Sequence, residues 1–251
     1  MKNILFTICG RAGSKGVKSK NFREFLGKPL IYYTIKAAEL FAKEYADEYS
    51  VDCVVSTDSV DILKYIEQYD NILALNRPAE LAQDDTPKVP VIQQATLYAE
   101  KHYGKTYDYV VDLDITSPLR KSSDIDRAIK MCGSENNTKY DLIFSAAESR
   151  RNPYFNMVEM RGDFAYKIKE SQFVCRQQAP QTYDMNPSIY CYNRNSLINK
   201  LKRITFEGMS GVLEMEDTYV IDIDKGKDFE ILELLVKHYF IKEYPELFGE
   251  I

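Results

Sequence analysis

At 251 residues the chain is long enough to bury a full hydrophobic core, as one large domain or two small ones. Its 45% hydrophobic and 28% charged residues are those of an ordinary soluble globular protein, and no apolar run approaches the roughly 18 residues that span a bilayer. A net charge of −5 supplies no basic field for nucleic acid, although it leaves room for a local basic pocket around one anionic ligand.

The chain starts with an apolar run, residues 4–9, that stops at Gly10-Arg11 without a small-residue cleavage pattern. A buried first strand, not a signal sequence, is the expectation, and with it a cytoplasmic protein. Further strand-like runs occupy 51–56, 107–113 and 141–146. Helical-period stretches fall between them at 29–45, 60–68, 89–102 and 123–132. Strands alternating with helices of this length predict an α/β fold with a mainly parallel sheet covered on both faces. Ligands of such folds bind along the rim where the strands end. Pro29 suits a first helical turn, and Ser122-Ser123-Asp124 offers caps to the helix that follows.

The alternation breaks between about 148 and 187, which reads as an inserted arm of turns and short strands. Its aromatics (Tyr154, Phe155, Phe164, Tyr166, Phe173) are either a satellite core or an oligomer contact. Residues 228–244 carry apolar side chains at helical spacing and predict an amphipathic closing helix. The five cysteines are scattered and never paired as Cys-x-x-Cys, which argues against disulfides and zinc alike. With only His102 and His238 present, any metal has to be a hard cation held by oxygens, which points to magnesium.

The most informative segment follows the first strand: Arg11-Ala12-Gly13-Ser14-Lys15-Gly16, continuing to Lys18, Lys20 and Asn21. Glycines let a backbone approach a ligand, and arginine and lysine neutralise phosphate oxygens. It is neither a Walker A loop, since Val17 follows Gly16, nor a dinucleotide fingerprint, since Arg11 stands where glycine is required. Read alone it is either a phosphate loop or a basic surface turn. Asp222 and Asp224 alternate with Ile221 and Ile223, so on a strand both carboxylates share one face. Alone, that pattern is either a solvated face or a magnesium site.

Cys9 to Gly16 with Lys20-Asn21 resembles the signature loop of cytidylyltransferases that activate acidic sugars: the CMP-sialic acid synthetases (acylneuraminate cytidylyltransferases) and, more distantly, the CMP-Kdo synthetases. Further matches follow in the family's order: Val55-Ser-Thr-Asp58, Arg77-Pro-Ala-Glu-Leu-Ala82, Thr116-Ser-Pro-Leu-Arg120, Arg176-Gln-Gln-Ala-Pro-Gln181, residues 186–190, and Ile221-Asp-Ile-Asp224. They cover almost the whole chain.

The resemblance implies a Rossmann-like nucleotidyltransferase, one domain over 1–251, with a small arm at about 148–187 that crosses to the partner in a homodimer. It implies that CTP and an acidic nine-carbon sugar give CMP-sugar and pyrophosphate, with Mg2+. Arg11 and Lys20 would hold the triphosphate, with Ala12, Gly13, Ser14 and Asn21 around the nucleotide. Arg77, Asp84 and Thr86 would lie by ribose and cytosine, and Asp222 and Asp224 on the metal. Asp224 and Asp114 are alternative general bases. Arg176, Gln177, Asn186 and Tyr190 resemble the sugar side, Arg176 serving the partner's site.

The departures concern the sugar. Asp112-Leu-Asp114-Ile115 stands where sialate enzymes carry Gln-Pro, and Asp184 stands where they carry Arg. Arg151 to Asn156 and Tyr183 to Asn186 look closer to the branch acting on legionaminic acid. Asp114 would accept hydrogen bonds from sugar hydroxyl or N-acyl groups, and would repel the sugar carboxylate unless a metal or arginine lies nearby. Alternative readings are a Kdo or sugar-1-phosphate nucleotidyltransferase, and an inactive nucleotide-binding regulatory relative.

Overall fold

The computed structural model describes residues 1–13, 16–133, 140–219 and 221–249. In chain order the strands are β1 (Lys2–Cys9), β2 (Glu24–Phe25), β3 (Lys28–Pro29), β4 (Tyr49–Thr57), β5 (Ile72–Asn76), β6 (Tyr109–Leu113), β7 (Leu142–Glu148), β8 (Val158–Arg161), β9 (Phe164–Lys167), β10 (Tyr183–Asn193) and β11 (Ser210–Glu214). The helices are α1 (Leu30–Glu44), α2 (Val60–Ile66), α3 (Lys88–Tyr103), α4 (Ser122–Gly133), α5 (Arg194–Asn199), α6 (Gly226–Leu235), α7 (Ile241–Glu243) and α8 (Pro245–Phe248).

Seven strands form one sheet in the order β11-β7-β10-β6-β1-β4-β5. All neighbours run parallel except β10, which is antiparallel to both β6 and β7. This is the expected α/β architecture. Burial on both faces explains why β1 reads as an unbroken apolar run. Ile4, Phe6 and Ile8 enter the core beneath α1, α4 and α6, whereas Leu5 enters the one beneath α3 and α5. The chain leaves β1 toward β4 and β5, then returns to place β6 on the other side of β1. The crevice at the carboxyl ends of β1 and β6 is therefore the switch point where open α/β sheets bind ligands.

Several details differ from the sequence expectation. Helix α1 begins at Leu30, and Pro29 is its N-cap in extended conformation, closing the β2–β3 hairpin. The turn of that hairpin, Leu26-Gly27, has φ of 49° and 79°, both in the left-handed region that suits a two-residue turn. The closing helix is not continuous: a π-helical turn at Val236–Phe240 separates α6 from α7. Residues 221–224 form no strand; the segment is held instead by the N–H of Ile223 donating to the Thr116 carbonyl, 2.9 Å. The sequence periodicity does not announce β2, β3, β5, β11 or the part of β10 beyond the arm. Inside the arm, β8 and β9 pair only with each other and leave Val158, Met160, Phe164 and Tyr166 exposed.

Asp141, directly before β7, ties the chain that follows β10 to the start of β11. Its carboxylate accepts bonds from Ser196 Oγ at 2.7 Å, Lys200 Nζ at 2.5 Å and the Met209 N–H at 2.6 Å. Burial works to raise its pKa, but these three donors together hold it below the ordinary aspartate value. Asp141→Ala leaves a backbone N–H and a hydroxyl unpaired and is expected to lower stability by about 2–3 kcal/mol in denaturant unfolding. A depressed folded-state pKa gives stability that is complete above the unfolded value of about 3.9 and is lost as pH falls through the folded one. The gap between wild type and Asp141→Ala should accordingly narrow in acid, and a gap that does not change with pH would contradict this role.

Candidate active site

A cavity of about 410 Å³ opens at the switch point. Eight of the residues singled out from sequence line it: Arg11, Lys20, Asn21, Arg77, Asp84, Thr86, Asp114 and Asp224. They arrive on different elements. Arg11 and Lys20 come from the loop after β1, Arg77 follows β5, Asp84 and Thr86 precede α3, and Asp114 follows β6.

The loop after β1 is shaped by contacts with residues distant in sequence. The Ala12 N–H donates to Asp58 Oδ1 at 2.7 Å, and Asn21 Nδ2 donates to the Arg11 carbonyl at 3.1 Å. Arg11 forms an ion pair with Asp84 across the cavity mouth. Lys20 Nζ donates to the Ile223 carbonyl at 2.5 Å and to Asp224 Oδ1 at 3.0 Å, which draws residues 221–224 against the loop. Gly16 faces the Asp224 carbonyl so closely that an added Cβ would sit 2.3 Å from that oxygen. Gly13 has space around it; Ser14 and Lys15 lie outside the described residues. Arg77 is buried and donates to Ser56 Oγ at 3.2 Å and to the Ser56 carbonyl at 2.6 Å, which fixes it at the end of β4.

Asp222 and Asp224 act on each other through their charge even without a strand beneath them. Burial first, and then the neighbouring Asp224 carboxylate, raise the pKa of Asp222. Among the described residues no group of three or more His, Cys, Asp or Glu side chains is disposed to hold a metal. A two-carboxylate set suits magnesium only where phosphate oxygens and water complete the coordination.

Lys88 was not singled out from the sequence, yet it occupies the centre of the far wall. Its Nζ lies 2.8 Å from Asp112 Oδ2, 2.9 Å from Asp114 Oδ2 and 4.5 Å over the Tyr190 ring. Burial works against its charge, but the two carboxylates outweigh it and hold the ammonium well above the ordinary lysine range. Asp114 also accepts from the N–H and the hydroxyl of Thr116, at 2.9 and 2.8 Å. Against the effect of burial, Lys88 and Thr116 bring Asp114 down to about 2. Burial lowers Arg120 to about 10, so it stays protonated at neutral pH, and its Nη2 donates to the Asp114 carbonyl. Cys9, also in the wall, is an unreactive thiol: burial and Asp112 push its pKa up.

The remaining sugar-side residues do not all meet in this cavity. Tyr190 lies beneath Lys88. Asn186 is fully buried and donates to the Tyr219 carbonyl at 3.0 Å. Arg176 and Gln177 line a separate hollow with Glu148, Ser149 and Asn152, where Arg176 pairs with Glu148 Oε1 at 2.9 Å.

The sequence profile of the cytidylyltransferase family matches residues 5–244. The chain belongs to that family. This cytidylyltransferase is 38% identical over 236 residues to the CMP-N,N'-diacetyllegionaminic acid synthase of Campylobacter jejuni, covering 94% of this chain and 96% of that one. It is 37% identical over 241 residues to the post-translational flagellin modification protein B of Campylobacter coli, with 94% and 96% covered. An N-acylneuraminate cytidylyltransferase of Streptococcus agalactiae is 27% identical over 241 residues, 94% of this chain but 54% of that protein. Among solved structures, CMP-2-keto-3-deoxy-manno-octonic acid synthetase complexed with CTP superposes with a TM-score of 0.64 at 15% identity, over 94% of this chain and 99% of that one. A 4-diphosphocytidyl-2C-methyl-D-erythritol synthase gives 0.62 at 13% identity over the same shares. These two show that the cytidylyltransferase has the fold of nucleotidyltransferases.

Gly16→Ala tests the contact between the loop and Asp224. The added methyl has to displace one backbone from the other, and a misplacement of about 1 Å near the reacting atoms is expected to lower kcat/KM about 100-fold. Thermal unfolding should still be cooperative, because the contact lies at an exposed loop outside the sheet. Unaltered kinetics would show that this approach does not matter.

Proposed function

We propose that this cytidylyltransferase joins CTP to a nonulosonic acid, with legionaminate-type acceptors preferred, and that Asp114 and Asp184 mark the sugar preference. The anomeric C2 hydroxyl attacks the α-phosphorus, the CMP-sugar forms, and pyrophosphate leaves. The observation that carries the reading is the cavity itself. Arg11, Lys20 and Arg77 line it, the first two paired with Asp84 and Asp224, beside the acidic pair Asp112 and Asp114 that Lys88 compensates. The 38% identity to a protein named for legionaminate activation supports the choice of acceptor.

In this reading Arg11 and Lys20 neutralise the triphosphate as pyrophosphate departs, which is most of what phosphoryl-type transfer asks of a protein. Backbone groups at Ala12, Gly13 and Ser14, with the amide of Asn21, contact the nucleotide. Arg77, Asp84 and Thr86 face ribose and cytosine. Asp222 and Asp224 would hold Mg2+, which supplies charge neutralisation at the phosphates and a lower pKa for the attacking hydroxyl. Asp114, held at about 2, is too weak a base for that proton. Asp224, exposed at the rim and tied to Lys20, is the remaining carboxylate for the role.

On the sugar side the reading takes Tyr190 and Asn186 from the same chain. Arg176 and Gln177 would come from a partner whose arm crosses over; the exposed apolar side chains Val158, Met160, Phe164 and Tyr166 of the β8–β9 hairpin support a homodimer of that kind. Residues 1–251 then act as one catalytic domain with its arm at about 148–187. The cysteines Cys9, Cys53, Cys132, Cys175 and Cys191 are all free, which supports a reducing compartment such as the cytoplasm.

The test is a panel of nucleotides and acceptors followed by pyrophosphate release. Turnover with CTP and legionaminic or sialic acids is expected, and Asp224→Ala should reduce kcat by about 100-fold or more. Turnover of a sugar 1-phosphate with UTP or GTP, and none with CTP, would sink the proposal.

A further inference from the structure

Lys88 stands in the first turn of α3, where the helix dipole disfavours a cation. Its placement therefore depends on the carboxylates that face it, Asp112 and Asp114. With Arg120 beside Asp114, the two carboxylates Asp112 and Asp114 are matched by two cations, Lys88 and Arg120. The hydrogen-bonding capacity is nearly spent. Oδ1 of Asp114 takes the N–H and hydroxyl of Thr116, and Oδ2 takes Lys88. An ionised carboxylate has roughly four acceptor positions and an ammonium three donors, so about one acceptor position on Asp114 and one N–H on Lys88 are left over. Both belong to residues that line the cavity.

We propose that Lys88 sets acceptor specificity: it compensates Asp114 and, together with it, offers one donor and one acceptor to a neutral polar substituent, an amide or a hydroxyl, of an acidic sugar. This rests on the nonulosonate reading and adds a residue to it. An amide matches the pair with its carbonyl toward Lys88 and its N–H toward Asp114. Without Lys88 the half-buried Asp114 carboxylate loses its closest cation and repels the carboxylate of the sugar, which is selection by repulsion as much as by contact. Lys88 is thus a positioning and specificity residue that needs no part in the phosphoryl transfer itself.

Steady-state kinetics of wild type, K88M, K88R, D114N and the double variant K88M/D114N test this, with thermal unfolding of each as a control. For K88M the KM of the acidic sugar is expected to rise about tenfold or more while the KM of CTP stays within about twofold, because Lys88 pairs with Asp112 and Asp114 and not with Arg11 or Lys20, the residues proposed to hold the triphosphate. K88R should keep most of the activity. In K88M/D114N the carboxylate that lines the cavity is gone, while Asp112 keeps the bond from Thr7 Oγ1 and the nearby charge of Arg120, and most of the loss should be regained, a coupling that two independent sites would not show. A double variant as poor as K88M, or a CTP KM that rises in step with that of the sugar, overturns the assignment. The double variant exchanges an ion pair for a neutral pair and is readable even where K88M does not fold; a sugar KM raised more than about tenfold in it also overturns the assignment. Wild type that turns over no acidic sugar with CTP defeats the substrate reading and this inference with it, whereas normal wild-type turnover with unaltered K88M kinetics defeats the role of Lys88 alone.

Discussion

Lys20 Nζ reaches the Ile223 carbonyl and the Asp224 carboxylate, and this pair of bonds ties the loop after the first strand to a segment 204 positions downstream. Neither partner belongs to regular sheet, so nothing else in the β ladder sets their distance. Gly16 completes the junction by leaving room for the Asp224 carbonyl where any side chain would collide with it. The Ile223 N–H on the Thr116 carbonyl then fixes the same segment to the turn after β6. Three chain segments that the sheet only brings near one another are in this way locked around a single cavity.

Charge is distributed along that cavity in a way the net −5 of the chain conceals. At the loop after β1, Arg11 pairs with Asp84 and Lys20 with Asp224, while the wall at β6 holds Asp112 and Asp114 against Lys88 and Arg120. In the proposed reaction both substrates are anions, and an uncompensated carboxylate beside either would be costly to bring together with it. Compensation inside the wall lets acidic side chains serve as hydrogen-bond acceptors there. The same principle, burial offset by an adjacent opposite charge, orders Asp141 at the far edge of the sheet.

Much of this was legible in the sequence, for identifiable reasons. Strands β1, β4, β6 and β7 are covered on both faces and therefore stand out as apolar runs. Strand β5 is only five residues long and mostly incompletely buried, and β11 is equally short with a glycine in it. Strand β10 carries Asn186, Pro187 and Ser188 through a register shift between Met185 and Tyr190, which breaks any period. The alternation at 221–224 correctly placed Ile223 in the core but suggested a strand, because extended backbone alternates with or without a ladder partner. Arg11, Lys20 and Asn21 are legible because they cluster in one loop. Lys88 was not, because its partners Asp112 and Asp114 are brought to it only by the crossover from α3 to β6, and a lysine after Thr86-Pro87 reads as an ordinary solvated helix start.

Lys20 builds the junction and, in the proposed function, also faces the triphosphate. Calorimetric titration of CTP into wild type and into Lys20→Met measures this without any sugar present. The account expects CTP affinity to fall at least about tenfold in the variant, the usual worth of a charge-assisted contact, with the fold retained. Equal affinity in a folded Lys20→Met protein would contradict it.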